Sequence, residues 1–213
     1  MGCSVKRQET TERIISAAMA VFSRDGFNGA RVDEIAREAG VNKATLYYHV
    51  GDKEALYAAV LHNALGSTAS RIEQAAMAGD LPPGDRLRAY IRGFARAADD
   101  HPQMTPIMMR ELASGGRNLP GEVVEDFGRI LAVISAILDE GCRRGVFIPT
   151  TPFVVHMMVV GAFFLYRATG PIRAGRPDIP EAVRRLDPTV TERVVDEIER
   201  LILNAVQTKH PEV

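Results

Sequence analysis

Within residues 43–49 stand Lys43, Ala44, Thr45, Tyr47, Tyr48 and His49, a set suited to meeting a polyanion and the edges of bases. A lysine ammonium can meet a phosphate or a guanine. A threonine offers hydroxyl or methyl, and tyrosine hydroxyls reach phosphate oxygens. Leu46 is the apolar member; turning it inward leaves the others outward on a short helix. Tyr47 and Tyr48 are adjacent, about 100° apart around a helix, and cannot both face one core. His49 and Lys53 fall where the end of that helix and the start of the next would flank a nucleic-acid backbone. No catalytic constellation competes with this set. A Gly-x-Ser-x-Gly elbow, a Gly-rich phosphate loop and a His-Glu-x-x-His pair are all absent. His49, His62, His101, His156 and His210 have no metal-ligand spacing. The expectation is a protein with no catalytic residues, no metal and no cofactor.

The elements that must position this segment are legible from apolar periodicity and from turn residues. Ile14, Ile15, Ala18, Val21 and Phe22 predict a helix over about 11–24, with Thr11 a plausible N-cap and Gly26 the stop. A second helix is predicted over about 32–39. Gly40-Val41-Asn42 then makes a sharp turn, with Gly40 ending the second helix and Asn42 capping a third over about 43–49. Ile35, Ala36, Val41 and Leu46 are expected to lock the pair together. A helix of seven residues buries too little to serve a bundle, but it suffices as a recognition helix, because only its N-terminal turns enter the major groove. Asp52 caps a long fourth helix over about 53–78, and the stretch 79–84 breaks the chain. Five more helices are predicted near 85–100, 103–114, 122–144, 152–169 and 189–207, with a Pro/Gly/Arg-rich separator over 170–188. No alternating β-pattern of useful length appears. The fold class is all-α: a three-helix helix-turn-helix domain over 1–53, then a larger helical domain over 54–213.

Composition bounds the reading. The 213 residues are 46% hydrophobic, enough for a sizeable core or a small domain joined to a larger one. The formal net charge is −1, so any contact with nucleic acid must come from a few well-placed cations and not from a general positive field. Cys3 and Cys142 form no ligand pattern, which suits a reduced, cytoplasmic protein. The opening Met1-Gly2-Cys3 lacks the Ser or Thr at position six that an acylation signal needs, where Lys6 stands. The longest apolar run, 153–166, contains His156 and is shorter than the ~18–20 residues of a membrane span. No membrane partner is expected.

The combined spacing of residues 10–60 resembles the tetracycline-repressor (TetR) family of bacterial transcriptional regulators. The matching stretches are Thr11-Glu12-Arg13-Ile14-Ile15, Gly26-Phe27, Ile35-Ala36 with Ala39-Gly40-Val41, Asn42 through His49, and Lys53-Glu54-Ala55-Leu56. The resemblance implies that Thr45, Tyr47, Tyr48 and His49 contact operator DNA and that Lys53 touches a phosphate. Arg31 departs from the family's usual Thr or Ser cap on the second helix and is expected instead to reach the DNA backbone. Val50 replaces a common Phe. What the resemblance implies overall is a homodimeric, ligand-responsive regulator, most simply a repressor. An effector would move the fourth helix, change the spacing of the recognition helices and release a pseudo-palindromic operator. The competing class is a helical ligand-binding or interaction protein that does not bind an operator.

The second domain is where regulation would lie. Met108, Phe127, Met157 and Phe163 offer adaptable apolar surface for a moderately apolar small-molecule effector, or they fill an ordinary core. Glu111, next to Arg110 in an otherwise apolar helix, would orient the effector's polar end or form a solvated surface pair. Val190, Val194, Ile198, Leu201, Ile202 and Ala205 make the last helix amphipathic, and the preceding one is apolar nearly all round with Gly161 and Ala162 in it. Two such helices per subunit would build a four-helix dimer interface, or close the monomer's own core.

Overall fold

The computed structural model describes residues 2–185 and 191–208. Eleven helices are found among them: α1 (Gly2–Gly29), α2 (Val32–Glu38), α3 (Lys43–Val50), α4 (Lys53–Ala76), α5 (Pro83–Asp100), α6 (Met104–Ala113), α7 (Gly121–Arg143), α8 (Pro152–Ala168), α9 (Gly170–Ala174), α10 (Glu181–Arg184) and α11 (Glu192–Val206). The only β pairing among the described residues is an isolated antiparallel bridge between Phe147 and Gln207. The chain forms two compact units that interleave in sequence: Met1–Ser67 with His101–Asp126, and Thr68–Asp100 with Phe127–Val213. Both α4 and α7 contribute residues to each.

In the first unit, α1 buries Ile14, Ala18, Val21 and Phe22, while Ile15 stays half-buried. The helix starts well before the expected residue, so Thr11 lies inside it and is not its N-cap. Its hydroxyl bonds back to the Arg7 carbonyl at 3.0 Å, a helix-interior use of threonine. Gly26 breaks the helix as expected, at φ 70°, ψ 175°, and a further turn of helix follows it. A Cβ on Gly26 would also lie 3.2 Å from Arg110 Cδ, because the Arg110 side chain of α6 crosses this point. Phe22, Phe27 and Tyr57 form an aromatic cluster, with Tyr57 4.8 and 4.9 Å from the two phenylalanine rings. Full burial of a side chain such as Phe22 is worth about 1.5–3 kcal/mol.

The second unit is built around α5, whose Leu87, Tyr90, Ile91, Phe94 and Ala98 face one core at helical spacing. Ile130, Ile134 and Ile137 of α7, Val155, Val159 and Phe163 of α8, and Val195, Ile202 and Val206 of α11 complete it. Arg88 and Arg92 of α5 both hold Glu199 of α11, at 3.1 and 2.8 Å. The 170–188 stretch, expected as a plain separator, carries the short helices α9 and α10; Pro171 sits in the first turn of α9, where its missing N–H costs nothing. The expected start of the last helix at 189, and Val190 of its apolar row, lie outside the described residues.

Candidate nucleic-acid interface

Local backbone chemistry fixes the turn between α2 and α3. Gly40 has φ 67°, a conformation that a side chain would strain. Val41 N–H donates to the Ala36 carbonyl and Gly40 N–H to that of Arg37, the paired bonds of a Schellman stop. The Arg13 guanidinium of α1 reaches the Ala39 carbonyl at 2.9 Å and so ties down the same helix end. Asn42 Oδ1 accepts the Thr45 N–H at 2.7 Å, capping α3 as expected. Asp52 Oδ1 accepts the Ala55 N–H at 2.8 Å and caps α4 in the same way. Arg31 precedes α2 in an extended conformation and makes no side-chain cap, which leaves its guanidinium exposed.

Leu46 is fully buried with Ile35 and Ala36, and Val41 half-buried, so the expected lock between α2 and α3 is present. The rest of α3 turns outward. Lys43 and Ala44 are exposed, Thr45 and His49 half-buried, and Tyr47 and Tyr48 stand 43% and 71% exposed. Two adjacent tyrosines thus lie outside the core, as their angular offset requires. Lys53 is half-buried, with its ammonium 4.8 Å above the Phe27 ring.

Two residues join this surface that the sequence did not assign to it. The Arg7 guanidinium lies 5.2 Å over the Tyr48 ring, adding a cation from α1. Thr11 Oγ1 sits 2.9 Å from His49 Nδ1. A hydroxyl has one proton; given to the Arg7 carbonyl, it makes Nδ1 the donor to Thr11 and leaves Nε2 as the ring's outward nitrogen. The signal for both residues was their four-residue spacing on α1, which places them on one face.

The ion pairs of this unit decide which of its cations are engaged and which can be exchanged. Arg24 gathers Asp25, Glu34 and Glu38 at 3.0, 2.8 and 3.2 Å. Hydrogen bonding to Asp25, then to Glu38, raises its pKa. Lys43 pairs with Asp33 at 2.9 Å, and that bond raises the pKa of its ammonium, which stays charged. Both partners are exposed, so the pair is weak and can be exchanged for a phosphate.

Behind the recognition elements, α6 grips α1 and α4. Arg110 donates to the carbonyls of Ser23 at 2.5 Å and Arg24 at 3.0 Å, satisfying the end of α1 before Gly26. Glu111 is 3% exposed and accepts from the Tyr57 hydroxyl at 2.9 Å and from Asn118 Nδ2 at 3.1 Å. Burial, reinforced by that carboxylate, pushes the Tyr57 phenol pKa up, so it remains a donor. Arg110 and Glu111 therefore form neither a solvated surface pair nor a charge held open for a ligand. Of the other expected effector contacts, Met108 is buried in the first unit and Phe163 in the second, and Phe127 is half-buried. Met157 points outward on α8 at 43% exposure, so it does not line a core.

A short recognition helix held at a glycine turn, with tyrosines and cations outward, defines a helix-turn-helix DNA-binding protein. The comparisons with known proteins agree. Residues 14–60 match the model of bacterial regulatory proteins of the tetR family, and residues 80–167 a tetracyclin repressor-like C-terminal domain. The HTH-type transcriptional regulator RutR of Escherichia coli is 29% identical over 199 residues, covering 92% of this chain and 90% of that protein. An HTH-type transcriptional repressor of Streptomyces coelicolor is 30% identical over 148 residues, 68% and 71% of the two chains. Among solved structures, the regulator FadR from Bacillus subtilis in complex with stearoyl-CoA superposes with a TM-score of 0.70 at 19% identity, covering 92% of this chain and 99% of that one. The chain belongs to the TetR family of transcriptional regulators. Among the described residues no helix is long and apolar enough to cross a membrane.

Proposed function

We propose that this regulator is a homodimeric repressor that holds a pseudo-palindromic operator through α3 and releases it when a small molecule binds. The observation that carries the DNA-reading part is the outward face of α3. Tyr47 and Tyr48 are exposed beside Lys43 and Ala44, on a helix whose position is set by the Gly40 turn and the Asn42 cap. In this reading Lys43, Ala44, Thr45 and Tyr47 meet base edges and near phosphates. Tyr48, His49, Lys53 and Arg31 grip the backbone on either side.

Support for the dimer comes from α8 and α11. Phe153, Met157 and Leu165 are exposed at four-residue multiples with Gly161 between them, and Val154 and Met158 are exposed beside them. The opposite side of α8 is already spent on the second unit's core. Leu201 and Ala205 are the outward members of α11, while Ile202 is buried and Val194 and Ile198 are half-buried. One side of these helices closes the monomer's own core, and the outward apolar stripe suits a second copy.

Effector control is supported by the ligand-bound neighbour, FadR with stearoyl-CoA. An effector can release DNA only by preferring the state with lower operator affinity. Of the expected effector contacts, Met108 and Phe163 are packed, Glu111 is hydrogen-bonded and Met157 lies on the outward stripe, which leaves half-buried Phe127 as the one the effector reading keeps.

Salt titration of binding to DNA flanking the protein's own gene tests the operator assignment. A steep fall in affinity with salt is expected. Lys53→Ala should lower the log–log slope by about 1, and Tyr48→Ala should weaken binding to the preferred fragment. Equal affinity for every fragment, unchanged by either substitution, would refute it.

A further inference from the structure

Arg173 of α9 is nine-tenths buried, and two of its three guanidinium nitrogens, Nε and Nη2, have no hydrogen-bond partner among the described residues. Its third nitrogen is well held. Nη1 donates to the Tyr166 carbonyl and to Thr169 Oγ1, both at 2.9 Å. The guanidinium carbon lies 4.3 Å over the Tyr166 ring. The group is therefore oriented from one edge and from one face, while its other edge is unsatisfied. A guanidinium stays charged at any ordinary pH, so burial cannot be relieved by losing the proton. Buried polar groups in proteins are almost always paired, and a buried cation without a counter-charge is among the costliest exceptions.

The unsatisfied edge has a specific shape. Nε–H and the neighbouring Nη2–H run parallel along one side of the guanidinium, the spacing that receives two oxygens of a carboxylate or phosphate side-on. We propose that Arg173 is the oxyanion receptor of the second unit, and that the molecule sensed there carries a carboxylate or phosphate taken up by this edge. The proposal deepens the ligand-responsive reading above and rests on it for the biological purpose of the site. The buried edge requires α9 or the Arg173 side chain to shift as the anion enters. Because α9 is a five-residue helix, little regular structure opposes such a shift.

The test is thermal melting of the full-length protein with octanoate, inorganic phosphate or 1-octanol, for the wild type, Arg173→Met and Arg173→Lys. Octanoate, phosphate or both should raise the wild-type melting temperature by several degrees in a saturable way, and octanol should not. A response to octanoate alone identifies a carboxylate; a response to phosphate alone identifies a phosphate. Arg173→Met should lose the shift and, relieved of an unpaired buried charge, melt no lower than the ligand-free wild type. Arg173→Lys keeps the charge without the side-on fork and should bind at least tenfold more weakly, which decides the matter if the methionine variant does not fold. Anion shifts that are absent, or equal in the wild type and both variants, would overturn the proposal. Anion binding that depends on Arg173 but leaves DNA bound would keep this site and refute effector release. Release by an anion in wild type and variants alike would do the reverse.

Discussion

In the proposed operator complex, Thr11 sets the orientation in which His49 would meet DNA. The 2.9 Å contact to Nδ1 fixes the ring's rotation and directs Nε2 outward. Thr11→Val keeps the side chain's shape and removes only the hydroxyl. It should cost operator binding about 0.5–1.5 kcal/mol, up to roughly tenfold, with little change in melting temperature. Affinity equal to wild type in a mobility-shift titration would show that His49 needs no such positioning. A second histidine bears on stability. His156 of α8 takes the Tyr90 hydroxyl at 2.7 Å inside the second unit, and burial lowers its pKa. The unfolded chain then binds this proton more readily than the native one. Stability should therefore fall as pH drops from about 6.5 towards the lowered native value. The urea midpoint should drop more between pH 7.5 and pH 5.5 in wild type than in His156→Gln; equal drops would contradict it. The outward residues of α3 were legible in the sequence, because exposure there follows from helical geometry. The roles of Arg110 and Glu111 were not, because their partners Ser23 and Tyr57 lie 87 and 54 residues away.

Elements were read most accurately where their ends are set by local chemistry. α2 stops at Gly40, α3 starts after Asn42 and α4 after Asp52, at turns whose bonds span three to five residues. Asn42→Ala should remove about 1 kcal/mol of stability, and Gly40→Ala about 1–2 kcal/mol from backbone strain alone. In the glycine case space is not the obstacle, since an added Cβ would approach only the tip of Arg13, at 3.8 Å. Denaturant titrations showing neither loss would mean that the turn is held by packing alone. Thr11 misled because a capping residue type just before an apolar stripe is the usual start of a helix. Here polar residues continue the helix upstream and bring Arg7 over Tyr48. The short α9 and α10 were hidden by prolines and glycines, which break long helices yet tolerate single turns beginning at proline.

At the scale of the molecule, the placement of a few cations decides what a nearly neutral chain can do. Asp25, Glu34 and Glu38 are drawn to Arg24, and Lys43 of α3 is held only by an exposed pair with Asp33, so net charge says little about what this face can meet. The outward stripe of α8 makes a separate claim. Leu165→Glu should convert the proposed dimer to a monomer in analytical ultracentrifugation and weaken operator binding, since a dimer holding two half-sites gains from both. A variant that remains a dimer would place the interface elsewhere. Footprinting the protein on DNA flanking its own gene tests whether two copies of the α3 face read one operator. Two protected half-sites related by a dyad are expected, with centres about 34–36 Å apart or a multiple of that, both lost when Tyr48 and Lys53 are changed to alanine. Uniform protection without half-sites, or a footprint that survives the double substitution, would contradict it.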